Sequence, residues 1–188
     1  AIAKLEPNAV ALQYYYIADN SNPPGKKHLL DRGGDKSRYS AVHNGVQPVL
    51  REYLEKFGYY DIFLADADTG RIVYTVFKEL DYATSLLDGA YADTNLGEAF
   101  RLARDSDDPS ASFLVDYKTY TPSYGAPAGF IAAPIFDGGR KIGVAMFQMP
   151  IDRLNHIMAE NAGLGETGES YLTGQDYLMR SDSTRNPE

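Results

Sequence analysis

The sequence predicts an α+β domain built on a five-stranded antiparallel sheet, and three observations carry that prediction. Two pairs of aromatic and β-branched runs each enclose a tight turn, a fifth run precedes the second pair, and helical periodicity fills the stretches before, between and after them. The first pair lies within Phe57 to Glu79, FGYYDIFLADADTGRIVYTVFKE. Tyr59 to Leu64 and Ile72 to Phe77 read as strands around Asp66-Ala-Asp-Thr-Gly70, with Gly70 free to adopt the left-handed conformation such a loop needs. The second pair is Gly129 to Phe136 and Lys141 to Met149, joined by Asp137-Gly-Gly-Arg140, where Asp-Gly between apolar runs is a strong hairpin signal.

The other elements follow in chain order. Ile2, Leu5, Val10, Leu12 and Tyr14 to Tyr16 predict a helix in which Pro7 sits in the first turn. Asp19 to Lys36, with Pro23-Pro24-Gly25 and Gly33-Gly34-Asp35, reads as a loop long enough to be functional or flexible. Val42, Val46, Val49, Leu50, Tyr53, Leu54 and Phe57 fall on one helical face; Pro48 predicts a kink in it and Gly58 its end. Leu80 to Asp93 is a turn-rich connection carrying Tyr82, Leu86, Leu87 and Tyr91. Thr94 or Asn95 caps a helix through Arg104 that buries Leu96, Ala99, Phe100 and Ala103. Ala111 to Tyr117 is a strand, and Tyr120-Thr-Pro-Ser-Tyr-Gly-Ala-Pro127 is an aromatic loop. Pro134 predicts a bulge or an edge position within its strand. Asp152 caps a helix holding Leu154, Ile157 and Met158, which Gly163-Leu-Gly165 ends. Glu169 to Arg180 is again strand, turn, strand, and the 23 residues from Glu166 onward are too few for a second core.

Composition bounds the function. At 188 residues the chain fits one domain with at most a fragment of a second. Hydrophobic residues at 44% and charged residues at 23% allow a packed core and exclude wholesale disorder. A net charge of −8 argues against nucleic acid as a partner. The absence of cysteine removes disulfides, thiolate metal sites and cysteine nucleophiles, and leaves cytoplasm and periplasm both open. No run approaches the roughly 18 apolar residues of a spanning helix. No signal peptide is visible, and both ends read as cut from a longer chain.

Catalytic and metal chemistry find no support in the motifs. Asp66-Ala-Asp-Thr-Gly70 resembles the start of a calcium loop, but Thr69 and Phe77 stand where that pattern needs an acidic or amide residue and a glutamate. His28, His43 and His156 share no ligand spacing. No nucleophile elbow, phosphate loop or dinucleotide fingerprint is present, so no enzyme, metal or cofactor is expected. Tyrosine stands out instead: fifteen are present without a single tryptophan. Tyr117, Tyr120 and Tyr124, joined by Phe130, crowd one region beside Asp116 and Lys118. An apolar ring with a hydrogen-bonding tip suits the wall of a small-ligand pocket, although paving a core is the plainer use of each ring.

Three segments carry a family resemblance: FGYYDIFLADADTGRIVYTVFKELDYATSL, PAGFIAAPIFDGGRKIGVAMFQMPIDRLNHIM and GLGETGESYLTGQDYLMRSDS. They resemble the extracytoplasmic Cache (PAS-like) sensor region of bacterial methyl-accepting chemotaxis proteins, and similar segments occur in membrane-bound nucleotide cyclases and sensor histidine kinases. The resemblance runs from about Tyr39 to Ser183. It implies an N-terminal helix and long loop over 1–38, a membrane-distal sensor module over 39–162, and a linker with the opening hairpin of a membrane-proximal module over 163–188. Transmembrane helices and an output domain would lie outside these residues. The amino-acid-binding members carry an Arg, a Trp and a Tyr close together before the third strand. This chain has no tryptophan, and Arg101 and Arg104 fall in a helix, so that specificity does not carry over.

The expected function is therefore a periplasmic ligand-sensing domain of a membrane chemoreceptor, binding a small molecule of unknown identity without catalysis. The site is expected between one sheet face and the loops at 80–93 and 116–128. Tyr117, Tyr120, Tyr124 and Phe130 would wall it, Asp116 and Lys118 would supply polar contacts, and Tyr74 and Lys78 would contribute from the second strand. The alternatives are the sensor of a cyclase or histidine kinase, and a module that binds nothing and dimerises through its N-terminal helix.

Overall fold

The computed structural model describes residues 5–160 and 162–185. Ile2, expected in the first helix, lies outside them. Helix α1 (Pro7–Gln13) begins with Pro7, whose missing N–H costs nothing in a first turn, and runs on as a π-helical turn over Tyr14–Ala18. Asp19 to Lys36 is packed rather than free. Buried Asn20 donates to the carbonyls of Tyr16 and Lys27, and a short 3₁₀ turn spans Lys27–Leu29. Helix α2 (Arg38–Phe57) is capped by the Ser37 side chain, continues as one element through Pro48, and ends at Gly58 with φ +68°.

The sheet has the order β2-β1-β5-β4-β3 and is antiparallel throughout: β1 (Asp61–Asp66), β2 (Ile72–Thr75), β3 (Phe113–Thr119), β4 (Pro127–Asp137) and β5 (Arg140–Pro150). Strand pairing ends at Phe113↔Ala132 on one side of β4, so Pro134 pairs only with β5 and is effectively at an edge, next to a register shift at Ile135/Phe136. Between β1 and β2 the register also shifts: Leu64 opposes Tyr74 and Ala65 opposes Ile72, leaving Val73 as the extra residue. That bulge sends Ile72 into one core and Tyr74 into the other, which simple alternation would forbid.

Each sheet face has its own cover. On the first, Phe63, Ala65, Ile72, Val115, Phe130, Ala132, Val144 and Met146 pack under α3 (Asn95–Asp105) and the 76–94 connection. The helix buries Leu96, Ala99, Phe100 and Ala103 completely, and Thr94 caps it by accepting from the Gly97 N–H. On the second face, Ile62, Tyr74 and Val76 pack against Leu54 of α2, with Val46 and Leu50 beside it. The 76–94 connection is better ordered than its turn-rich sequence implies. Thr84 accepts from the Ile72 N–H, Ala83 donates to the Ile72 carbonyl, and Leu86 donates to that of Gly70, so this segment covers the free edge of β2.

Two expectations are corrected here. Strand β2 stops at Thr75 instead of Phe77: the Val76 N–H is shared between the Ile62 carbonyl of β1 and the carboxylate of Asp61, and that of Phe77 turns to the carboxylate. Asp152 does not cap the last helix: α4 (Ile151–Met158) springs directly from β5 with Pro150 in the cap position, and Asp152 lies in the first turn. The Glu169 to Arg180 hairpin appears as one bridge, Thr173↔Met179, closed by Gly174 and Arg180 backbone bonds.

Gly97 shows how tightly α3 seats. A Cβ there would collide with the carbonyl of Ala92, a backbone atom with no rotamer to escape into. Gly97→Ala is expected to destabilise the domain by about 1–3 kcal/mol, read from denaturant midpoints; a neutral substitution would contradict this packing.

Candidate ligand-binding site

Four described non-glycine residues have a left-handed backbone, and three of them, Lys78, Ala83 and Tyr124, belong to the two segments that meet over one end of the first sheet face. Such conformations are uncommon outside glycine and persist only where surrounding contacts impose them. Between these segments lies a group of buried polar side chains from β1, β2, β5, α2, residues 78–81 and the 120–124 turn.

Asp61 organises one half. It opens β1 on the core-facing phase, where alternation would put an apolar residue, and it is completely buried. One carboxylate oxygen accepts from the N–H groups of Ile62, Val76 and Phe77 at 2.7, 2.9 and 3.1 Å, and the other from the Thr75 hydroxyl. Lys78, also fully enclosed, donates to the Thr75 carbonyl and to Gln47 Oε1 at 3.1 Å. Its ammonium lies over the rings of Tyr74, Tyr82 and Tyr16 at 4.4, 5.4 and 5.9 Å from their centroids, a cationic group held in an aromatic cage. Gln47 completes the unit by accepting from the Tyr74 hydroxyl at 2.7 Å and donating to the carbonyls of His28 and Val76. Burial pushes the Asp61 carboxyl up and the Lys78 ammonium down, and each charge partly offsets the shift of the other. Four donors and a cation leave Asp61 ionised at neutral pH.

The other half has no cation of its own. Glu79 accepts from Tyr60 at 2.9 Å and from the Ser123 hydroxyl at 3.0 Å, and Ser123 in turn accepts from Gln148 Nε2 at 3.0 Å. Asp81 accepts from the Tyr120 hydroxyl at 2.6 Å through Oδ2, while its Oδ1 is buried without a protein donor. Burial, together with the charges of Asp61 and Asp81, pushes Glu79 up to about 8. Burial and the charge of Asp61 push Asp81 up to about 7, against the pull of the Tyr120 hydrogen bond. Glu79 and Asp81 thus hold protons near neutral pH because no cation among the described residues pairs with them.

The expected site residues divide between two places. Tyr74, Lys78 and Tyr120 belong to the buried cluster, and Phe130 adjoins it with its ring centroid 5.2 Å from that of Tyr120. Tyr117 and Lys118 instead line an open cleft of about 870 Å³ against Glu169, Tyr171 and Leu178–Ser183, at the opposite edge of the sheet. There Asp116 accepts from Arg180 and Lys118 pairs with Glu98 at 3.2 Å. Tyr124 is 71% exposed at the tip of its turn. Asp61, Gln47, Glu79, Asp81, Ser123 and Gln148 were not singled out from the sequence. The available signals were an aspartate on the core-facing phase of β1 and three charges within Lys78-Glu-Leu-Asp81, directly after an apolar strand.

A second cleft, of about 830 Å³, lies between α1 and the outer side of the 80–91 segment. Tyr91 belongs to both regions: it lines this cleft, its ring sits 6.4 Å from that of Tyr120, and the charge of Asp81 acts on its hydroxyl. Among the described residues, no three His, Asp or Glu side chains are placed to hold a metal ion. Asp66 accepts from the Thr69 N–H and hydroxyl, the role of a turn residue. His43 donates to or accepts from its neighbours only locally, through Asp31 and the rings of Tyr16 and Tyr74, and burial brings it down to about 4.

No family model matches the chain, and no curated protein matches it. Solved structures do. The ligand-binding domain of the Pseudomonas fluorescens chemoreceptor CtaA, in complex with L-serine, matches at a TM-score of 0.51 and 14% identity, over 95% of this chain and 63% of that one. The ligand-binding domain of the Campylobacter jejuni chemoreceptor Tlp3 matches at 0.55 and 16% in complex with 4-methylisoleucine, over 91% and 57% of the two chains. With L-valine it matches at 0.53 and 18%, over 91% and 59%. The chain has the fold of these sensor domains. It spans about three fifths of their length, and at this identity the likeness establishes architecture alone.

The protonated state of Glu79 has a measurable sign. Its folded pKa lies above its unfolded one, so its cost to folding is absent below about pH 4.5, grows as pH rises, and levels off above about 8. The melting temperature of Glu79→Gln minus that of the parent is expected to increase from pH 5 to pH 8.5, by at least about 5 °C. A difference independent of pH would show that Glu79 titrates as an ordinary carboxylate.

Proposed function

We propose that the chain is the extracytoplasmic ligand-sensing domain of a transmembrane chemoreceptor and has no catalysis of its own. The single observation behind this reading is the uncompensated acidic pair, Glu79 and Asp81, buried on the sheet face between two strained segments of a fold shared with chemoreceptor ligand-binding domains. A stable domain has no use for such a pair: burying ionisable groups without partners costs several kcal/mol, and apolar residues of similar size would serve the core better. Preorganised polar groups beneath a short turn serve a ligand instead.

The site proposed here is the inner group Tyr74, Lys78, Glu79, Asp81, Tyr91, Tyr120 and Ser123, with Phe130 as its floor. Signalling requires a ligand to bind two conformations unequally. The 120–124 turn is tied to the cluster by two side-chain bonds, Tyr120 to Asp81 and Ser123 to Glu79, and it leads straight into β4. A ligand that rearranges those two bonds changes how β4 and β5 are held, and β5 runs directly into α4 and the C-terminal segment. Membrane attachment, the output domain and pairing of two copies through the N-terminal helix, where Val10 and Tyr14 are exposed, belong to the same proposal.

A thermal-shift screen of small metabolites, followed by calorimetry, tests it. A bound metabolite is expected to raise the melting temperature, and Tyr120→Phe to weaken its affinity about tenfold, the cost of leaving one buried polar partner unsatisfied. Affinity unchanged by Tyr120→Phe would place the ligand elsewhere, and the cleft beside Tyr117 and Lys118 would become the site to examine.

A further inference from the structure

The class of ligand can be narrowed further, on the footing that the buried cluster is the sensing site. Three carboxylates, Asp61, Glu79 and Asp81, share one ammonium, Lys78. That ammonium is already committed to the Asp61 half, where it bonds Gln47 and the Thr75 carbonyl within its cage of tyrosine rings. Glu79 receives two hydroxyls; Asp81 receives one hydroxyl at Oδ2 and a weaker pull from its own and the Tyr82 backbone N–H groups, with Oδ1 fully buried and no well-formed hydrogen bond to it. Glu79 feels the charges of Asp61 and Asp81, Asp81 feels that of Asp61, and the orphaned oxygen is shut off from solvent. What the site lacks is positive charge with N–H donors.

Two alternatives fit the described residues less well. A metal ion needs several ligands converging on one point, and these carboxylates do not converge. An amino acid brings a carboxylate that wants a guanidinium or ammonium, and the arginines around this face are engaged elsewhere: Arg71 with Glu6, Arg101 with the Ala92 carbonyl, and Arg104 with the Ala67 carbonyl.

We propose that Glu79 and Asp81 recognise the ammonium or amidinium group of a small organic cation that carries no carboxylate, reached from the cleft between α1 and residues 80–91 past Tyr91. Tyr120 meets Asp81 with its hydroxyl, and the ring of Tyr91, 6.4 Å from that of Tyr120 and within the field of Asp81, stands between the pair and the cleft. The titratable groups facing the pair are Asp61, Lys78, Tyr60, Tyr91 and Tyr120. Of these only Lys78 can carry positive charge; burial pushes its ammonium down, and it donates to Gln47 and the Thr75 carbonyl rather than to Glu79 or Asp81. Because Glu79 and Asp81 hold protons in the free domain, a cation displaces them: one or two carboxyl O–H bonds break, the protons leave to solvent, and N–H donors replace them.

Calorimetry on the whole domain with 1,4-diaminobutane, agmatine and ethanolamine, beside L-serine and succinate, tests the proposal. At least one of the three cations is expected to bind, with affinity rising about tenfold per pH unit from 6 to 7 per proton displaced. Its binding heat should also change with the ionisation enthalpy of the buffer. Glu79→Gln and Asp81→Asn are isosteric and should each weaken it at least tenfold, with folding verified by circular dichroism. Binding of L-serine or succinate that depends on Tyr120, with the cations silent, overturns the ligand class and leaves the sensing site standing. Cation binding that both substitutions leave within twofold, or that is independent of pH, overturns the site assignment. Silence from all five probes overturns the cationic class outright, while the broader metabolite screen decides the sensing role separately.

Discussion

The carboxylate of Asp61 is the constraint on which this end of the domain depends. It gathers three backbone N–H groups and one hydroxyl from the start of β1 and the end of β2, so the chain must leave the sheet after Thr75. Hydrogen bonds to a charged acceptor are worth roughly 1.5–3 kcal/mol each, enough to set the local path of the chain: Val76 shares its N–H between the Ile62 carbonyl and the carboxylate, and Phe77 gives its N–H to the carboxylate. Leaving the sheet there throws Lys78 inward with a left-handed backbone and sets the direction of residues 79–84. Those residues then return along the edge of β2, where Ala83 and Thr84 bond Ile72 and close the sheet edge.

Everything polar in the site hangs from that departure. The Lys78 ammonium lies over the rings of Tyr74 and Tyr82, bonds Gln47 and the Thr75 carbonyl, and feels the charge of Asp61, so that one half of the cluster has the closed, hydrogen-bonded form that buried charges need to be tolerated. Glu79 and Asp81 are carried in on the same short stretch and arrive beyond the reach of that compensation. The 120–124 turn meets them with hydroxyls rather than cations, which is why both acids are pushed toward neutral pH. The neighbouring apolar core, with Phe63, Phe100, Phe130 and Met146 all inaccessible, supplies the stability that allows such a region to persist.

Local signals in the sequence located most of the scaffold. Gly58 and Gly70 each stand at the left-handed position their turns demand, and Leu96, Ala99, Phe100 and Ala103 on the buried side of α3 follow from their spacing alone. The paired strands and their antiparallel order were equally legible, because alternation and Asp-Gly turns are short-range properties. The bulge at Val73 was not, since one unpaired residue changes which face Ile72 and Tyr74 take without altering composition. The polar cluster escaped for a different reason. Residues 61, 78–81, 120–123 and 148 are far apart in the chain, and only the β1-β5-β4 adjacency brings Asp61, Gln148 and Phe130 into one row. Tyrosine density drew attention to 117–124, yet Tyr117 and Tyr120, an odd three residues apart, fall on opposite sides, and the β3 register shift between Val115 and Lys118 sets which side each takes.

Carboxyl-carbon NMR of the isotopically labelled domain, followed from pH 4 to pH 9, measures the central claim directly. Asp61 should remain ionised at neutral pH, while Asp81 and Glu79 titrate close to about 7 and about 8. Titration of both in the ordinary carboxylate range, near 4, would mean that the chain already compensates them, and the cluster would then be structural.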